Sequence, residues 1–305
     1  MAEFSKISWT DATWNPWIGC SRVSEGCKNC YAENLMDRRY HRVEWGPGKP
    51  RVRTKTWNDP VKWNRWALEG VCRNCHGKGF TTEKVVVPGE LEKQKIEIQC
   101  MECKNGKVDP YRVKVFCASL ADWLDEEVPV QWREDVFDLV EACKSIDWLM
   151  LTKRIQNFAT MVPTKWLGEP LKNVWVGVTA ENQEWWDKRV PILAKTPASL
   201  RWVSYEPALG PIVIHENSGV NWIIAGGESE QTMDARRFDV EWTESVIEQC
   251  RKYGIVPFMK QKGTNAFYHG ERLNCIDKAG TDPDEWPTTV RVREFPSSPA
   301  LVMAS

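Results

Sequence analysis

Between residues 113 and 262, short apolar runs alternate with amphipathic stretches, and this alternation constrains the fold more than any other feature of the chain. The runs are 114–118 (KVFCA), 148–151 (WLML), 174–178 (VWVGV), 200–204 (LRWVS), 222–225 (WIIA) and 256–259 (VPFM). Nearly unbroken apolar character over so few residues marks a strand covered on both faces. Between the runs, 130–143, 155–161, 183–194 and 240–252 carry apolar residues at helical spacing. Strands that alternate with helices run parallel. With a first strand near 14–18, six or seven such units make a full or partial TIM-like (β/α) barrel; an open doubly wound sheet is the alternative.

The residues just past each run are polar. They are Ser119 and Asp122; Thr152, Lys153 and Arg154; Thr179, Glu181 and Asn182; Tyr205 and Glu206; Gly226, Gly227 and Glu228; and Lys260 and Gln261. In a parallel barrel the loops after the strands converge on one mouth, where active sites are built. A loop or helix-capping role is the simpler account of any single one of them, and Ser119 and Thr179 are expected as N-caps.

The chain has 305 residues, of which 41 are Lys or Arg, 42 are Asp or Glu, and 11 are Cys. A charged fraction of 27% with 42% hydrophobic residues excludes disordered and fibrous classes. No apolar run approaches the roughly 18 residues of a membrane span. The N-terminus shows no secretory pattern, so a cytoplasmic protein of a bacterial or phage-infected cell is expected. In a reducing cytosol clustered cysteines read as metal ligands. Cys117, Cys143, Cys250 and Cys275 stand alone and read as small buried hydrophobes.

Cys72-x2-Cys75 and Cys100-x2-Cys103 are separated by 24 residues, each pair leading into a Gly-containing turn (CRNCHGKGF, CMECKNGKV). Paired knuckles of this kind close a tetrahedral four-thiolate site, which reads as structural zinc in an insertion over 67–112. His76 reads as a bystander, and the segment between the pairs as a hairpin with a Pro-Gly turn. Cys20-x6-Cys27-x2-Cys30 lies after the first candidate strand and before a helix-like stretch. Three thiolates suit an Fe–S cluster with one open iron; the alternative is a Cys3His zinc site completed by His41.

Charge is unevenly spread. Residues 36–66 hold nine basic and three acidic residues. In RVRTKTW, Arg51, Arg53 and Lys55 would share one face of an extended strand near Trp57, Trp63 and Trp66. Together with Arg38 and Arg39 they are candidates for phosphate contact on a nucleic acid, aromatic rings supplying stacking. A solvated surface strand is the plainer alternative. The chain thus divides into a barrel over 1–66 and 113–262, the insertion over 67–112, and a C-terminal extension over 263–305 that is expected to be irregular and to fray.

The segments ISWTDATWNPWIGCSRVSEGCKNCYAE, VFCASLADWLDEEVP, LTKRI, VWVGVTAEN, VSYEPALGPI, WIIAGGES and PFMKQKG resemble the phage Gp37/Gp68 family of three-Cys-motif proteins. The insertion resembles, more locally, the zinc-binding C-x2-C-x-G-x-G units of DnaJ-type chaperones. The family in turn resembles a divergent branch of the radical S-adenosylmethionine (SAM) enzymes. That likeness implies a [4Fe–4S] cluster on Cys20, Cys27 and Cys30, SAM chelated to the open iron, and a 5′-deoxyadenosyl radical that abstracts a substrate hydrogen. It also implies a reductant protein that supplies electrons. This chain departs from the usual C-x3-C-x2-C spacing, carries Asn29 where an aromatic residue is usual, and has Gly226-Gly227-Glu228 after a late strand. Gly226, Gly227, Glu228, Glu181, Asn182, Glu206, Lys153, Arg154 and Lys260 are the expected SAM or substrate contacts. The expectation is an enzyme acting on a nucleic acid or nucleotide, without a membrane partner; the alternative is a non-catalytic, zinc-containing nucleic-acid-binding protein.

Overall fold

The computed structural model describes residues 5–85, 94–229, 235–277 and 279–298. Seven strands form one sheet: β1 (Ala12–Trp14), β2 (Val113–Cys117), β3 (Ile146–Thr152), β4 (Val174–Thr179), β5 (Leu200–Tyr205), β6 (Trp222–Gly226) and β7 (Val256–Gln261). They lie side by side in chain order and every pairing is parallel. A doubly wound sheet reverses its order at a switch point; this one does not. The fold is α/β with a half-barrel sheet, compatible with a partial β/α barrel. Among the described residues β1 and β7 do not pair with each other.

Each of the six apolar runs is a strand, with ends shifted by at most two residues. The first expected strand divides instead. Ala12–Trp14 joins the sheet, while Trp17–Ile18 pairs antiparallel with Val52–Arg53. Four longer helices are α1 (Asp59–Leu68), α2 (Val130–Ala142), α3 (Gln183–Lys195) and α4 (Val240–Tyr253). In α4, Val240, Thr243, Val246 and Cys250 face the core, and Gly254 ends the helix in the left-handed conformation at φ 68°. The stretch 155–161 is a short turn, Ile155–Asn157, followed by Phe158–Met161. The β5–β6 connection contains no helix.

The two faces of the sheet bury different side chains. Val115, Trp148, Val176, Val203, Ile223 and Met259 belong to the large core that also holds residues of the helices. Phe116, Leu149, Trp175, Trp202, Trp222, Ile224 and Phe258 form a second cluster with Trp9. Trp9 shows that the sheet curves around that cluster. Its ring lies 4.7 Å from Phe116 on β2 and 6.4 Å from Trp222 on β6. In a flat sheet those strands would be roughly 19 Å apart, four spacings of about 4.8 Å. Crowding inside the curve explains Gly177 on β4, where a Cβ would stand 2.3 Å from the Trp202 ring.

The C-terminal extension corrects the expectation of a frayed tail. Over its described part, Ala266–Tyr268 and Glu271–Arg272 pair, and Trp286 and Val290 are buried. The backbone of Val292 and Arg293 lies along β7, with the Met259 amide donating to the Val292 carbonyl at 2.7 Å. This covers an edge that would otherwise expose unpaired backbone groups. The end of the tail, 299–305, lies outside the described residues. Cys117, Cys143 and Cys250 are buried, as small hydrophobes should be. Cys275 is only half-buried and its thiol donates to the Asp277 carbonyl at 2.8 Å.

The insertion carries an antiparallel ribbon, Phe80–Val85 with Gln94–Gln99; the expected Pro-Gly turn lies outside the described residues. Its base is fastened beside the starts of β1 and β2. Arg73 pairs with Asp11 at 3.0 Å and stacks over Tyr111 at 4.6 Å, and the Tyr111 hydroxyl donates to the Val71 carbonyl at 2.8 Å. The three-cysteine loop follows the opposite end of β1. The two cysteine groups therefore sit at opposite ends of the sheet.

Candidate active site and metal centre

Cys72, Cys75, Cys100 and Cys103 bring their sulfurs within 4.8 Å of one another. The Gly79 amide donates to the Cys75 sulfur and the Gly106 amide to the Cys103 sulfur, both at 3.3 Å. Amide donors aimed at sulfur stabilise thiolates, so the group could hold one metal ion. His76 is not among the four ligands, and its ring meets the Trp66 ring at 5.5 Å. Among the described residues no other set of three or more Cys, His, Asp or Glu reaches such close spacing. The Cys3His site with His41 is thereby corrected: Cys20, Cys27, Cys30 and His41 do not converge on a single ion.

The three-cysteine loop instead lies across the C-terminal ends of the strands. Arg154, after β3, donates through Nη1 to the Cys20 sulfur at 3.3 Å and through Nη2 to the Ser21 hydroxyl at 2.7 Å. Asp122, after β2, holds that guanidinium at 3.3 Å and accepts from the Thr152 hydroxyl and the Lys153 amide. Burial pushes the Cys20 thiol up to about 12; Asp122 adds to the shift and Arg154 opposes it. Cys27 lies 3.9 Å from the Ser24 hydroxyl. Cys30 precedes the short helix Tyr31–Glu33, and burial raises its thiol, while the amide of Glu33, the charge of Lys153 and the amide of Ala32 oppose this.

Further contacts press the loop onto later strands. Glu181, fully buried after β4, is held by Arg189 of α3 at 2.8 Å and accepts from the Ser24 hydroxyl. Gly26 is packed against that carboxylate: a Cβ there would stand 2.3 Å from Glu181 Oε1. Asn182 donates to the Glu25 carboxylate. Glu228, after β6, accepts from Asn29 at 3.1 Å and pairs with Arg236, whose Nη1 also donates to the Glu25 carbonyl at 2.9 Å. Burial alone would raise the Glu228 carboxyl, but the Arg236 side chain and amide hold it below the usual carboxylate range. Lys153 donates from Nζ to the Thr179 hydroxyl at 3.2 Å. Glu206 and Lys260 pair with each other at 2.9 Å. Gly227 is pressed against the Lys262 carbonyl, where a Cβ would come within 2.5 Å.

Ser24, Gly26, Arg189 and Arg236 escaped the sequence reading. Arg189 sits inside an amphipathic helix, and Arg236 is eight residues beyond the glutamate it pairs with. Neither belongs to a motif with fixed spacing. The N-cap expectations are also corrected. Thr179 ends β4, and Asn182 caps α3 by accepting from the Trp185 amide at 3.2 Å. Ser119 bonds to Asn15 and caps no helix.

Of the cations expected to contact phosphate, Arg51 is corrected. Arg51 is buried, with Nε on Asp125 at 2.8 Å and Nη2 on Glu127 at 2.6 Å. It holds the loop together and faces no solvent. Arg53 pairs with Asp135 at 2.7 Å and stacks over Trp57 at 3.9 Å. Trp63 is in the core. Arg38 pairs with Glu33 at 3.1 Å, while Lys55 and Arg39 are exposed.

No helix of the described residues is long and apolar enough to cross a membrane. The model of a family described as a protein of unknown function (DUF5131) matches residues 4–281. No curated protein and no solved structure matches the chain.

Proposed function

The chain belongs to the DUF5131 family, and we propose that it is a radical SAM-like enzyme with a nucleic acid or nucleotide as substrate. Cys20, Cys27 and Cys30 would hold a [4Fe–4S] cluster, with SAM bound beside it. The observation that carries this reading is the seating of the three-cysteine loop across the C-terminal ends of a parallel sheet in chain order, where barrel enzymes place their chemistry. The likeness of the quoted motifs to the phage Gp37/Gp68 family supports it.

The donor set fits such a cluster. Sulfurs around a cluster bind different iron atoms, so they stand farther apart than the ligands of one ion, and these three lack a fourth partner at single-ion spacing. The Arg154 guanidinium at Cys20, and the amides of Glu33 and Ala32 near Cys30, work against the rise that burial imposes on these thiols, and a bound metal supplies the remaining positive charge that thiolates need. When bound, the two cofactors supply hydrogen abstraction, chemistry that no side chain provides. The protein's own part is to position and to orient. Glu181 with Arg189 and Ser24, and Glu228 with Arg236 and Asn29, hold the loop in place. Lys153, whose ammonium has no carboxylate partner among the described residues, offers a positive charge to the carboxylate or phosphate of a bound molecule. The Glu206–Lys260 pair offers a donor and an acceptor on the far side of the mouth.

The four-thiol group reads as structural zinc, since closed four-sulfur ligation suits that ion. Anaerobically purified protein should then contain about four iron atoms and about one zinc per chain. With dithionite and SAM it should release 5′-deoxyadenosine, and Cys30→Ala should release none. A chain that takes up zinc at both groups and no iron would instead be a non-catalytic binding protein.

A further inference from the structure

Polymer and free nucleotide remain alternatives for that substrate, and one surface patch separates them. The helical stretch that begins after Cys30 continues through Asn34–Arg39. Its end is tied down by backbone bonds: the Tyr40 amide donates to Leu35, the His41 amide to Asp37, and the Arg42 amide to Met36, at 3.1, 3.1 and 2.8 Å. Underneath, Ala32, Met36, Val43 and Leu120 form a small buried cluster. The turn is therefore anchored from below.

On its outer side Tyr40 is 48% exposed. The guanidinium carbons of Arg39 and Arg42 each stand 5.4 Å from its ring centre. Four other cations of the segment are neutralised: Arg38 by Glu33, Lys49 by Glu44, Arg51 by Asp125 and Glu127, Arg53 by Asp135. Among the described residues Arg39 and Arg42 have no carboxylate partner. An open hollow beside them is lined by Asp37, His41, Arg42, Val43 and Glu44. Its two carboxylates are engaged, Asp37 by the Trp45 amide at 2.8 Å and Glu44 by Lys49 at 2.6 Å.

We infer that Arg39, Tyr40 and Arg42 form a platform for single-stranded nucleic acid, so that the substrate class is a polymer. When a strand binds, the two guanidinium groups that lie over the Tyr40 ring turn to the flanking phosphates and a base takes their place on the exposed ring. An aromatic face is open to every base, and un-neutralised arginines are what a phosphate backbone seeks. Ten residues separate Tyr40 from Cys30, roughly 15 Å at helical rise. A strand held on Tyr40 therefore reaches the mouth within a few nucleotides. The inference rests on the reading of the mouth as a site acting on nucleic acid.

The test is fluorescence anisotropy of a labelled single-stranded oligonucleotide on the full chain, with adenosine monophosphate as the comparison. Tyr40→Ala should weaken oligonucleotide binding roughly five- to a hundredfold, the range for loss of one stacked base. Tyr40→Phe should retain it. Changing Arg39 and Arg42 together to Ala should lower the slope of log affinity against log salt by about 1.4, at about 0.7 per phosphate. Monophosphate binding should be unaffected by any of these changes. Iron and zinc contents equal to those of the unmutated chain exclude misfolding as the cause. Wild-type affinity and salt slope in both the Tyr40→Ala and the double-arginine variants would overturn the platform, as would an unmutated chain that binds no strand. Iron content is read separately, so absence of iron would defeat the cluster reading whatever the oligonucleotide does.

Discussion

The knuckles and the three-cysteine loop use the same side chain in opposite ways. In the knuckles four sulfurs gather within 4.8 Å, and the amides that support them come from residues three or four positions away. In the loop each thiol has its own surroundings: Arg154 at Cys20, Ser24 near Cys27, the start of a short helix at Cys30. Its supports come from 133 to 211 residues along the chain. One site is built by its own segment and the other by the sheet. The knuckles should therefore tolerate change in the barrel, while the loop should respond to substitutions remote in sequence.

The sharpest way to break this comparison is to remove one thiol from each group. Cys27→Ala should abolish the iron and spare the zinc, and Cys100→Ser should do the reverse, each read as metal per chain. Joint loss of both metals in either variant would show that the two sites are one folding unit.

Arg154→Ala should have the next largest effect. It strips the Cys20 sulfur and the Ser21 hydroxyl of their donor and leaves buried Asp122 without its cation. Uncompensated buried charge costs about 3–5 kcal/mol, measurable by urea unfolding, with iron lost and zinc retained. Arg154→Ala with unchanged stability would mean that the loop is not held by the sheet.

Gly26→Ala puts a Cβ against the Glu181 carboxylate, so the loop or the glutamate must move. Overpacking of this kind costs about 1–3 kcal/mol. Iron occupancy should fall in Gly26→Ala with zinc retained. Unchanged iron and stability in that variant would show that the loop is not packed against Glu181.

The smallest expected effect concerns acid. Arg236 holds the Glu228 carboxyl below its ordinary range although burial works against it. The folded state thus favours the ionised form. Its stabilisation is present above the unfolded value of about 4.3 and is lost as pH falls through the lower folded value. The stability gap between the unmutated chain and Glu228→Gln should therefore be constant near neutrality and shrink below about pH 4. A gap independent of pH would detach Glu228 from the ion pair that fastens the loop.

How much of this could be read from the chain alone follows from the range of the forces involved. The six later strand positions were legible to within two residues because a strand covered on both faces must be apolar throughout, as WLML and VWVGV are. The four-thiol group was legible because each Cys-x2-Cys pair fixes its own turn. The convergence of polar residues at the strand ends followed from parallel order. Their partners did not follow. Arg51 looked like a solvent-facing cation, yet it is buried against Asp125 and Glu127, 74 and 76 residues away. Arg189 and Arg236 carried no signal, and the tail that looked irregular lies along β7. Local backbone and burial periodicity are written into neighbouring residues, so sequence determined the elements and the knuckles. Ion pairs and edge coverage depend on which distant residues the curved sheet brings within a few ångströms, and only the tertiary structure decided those.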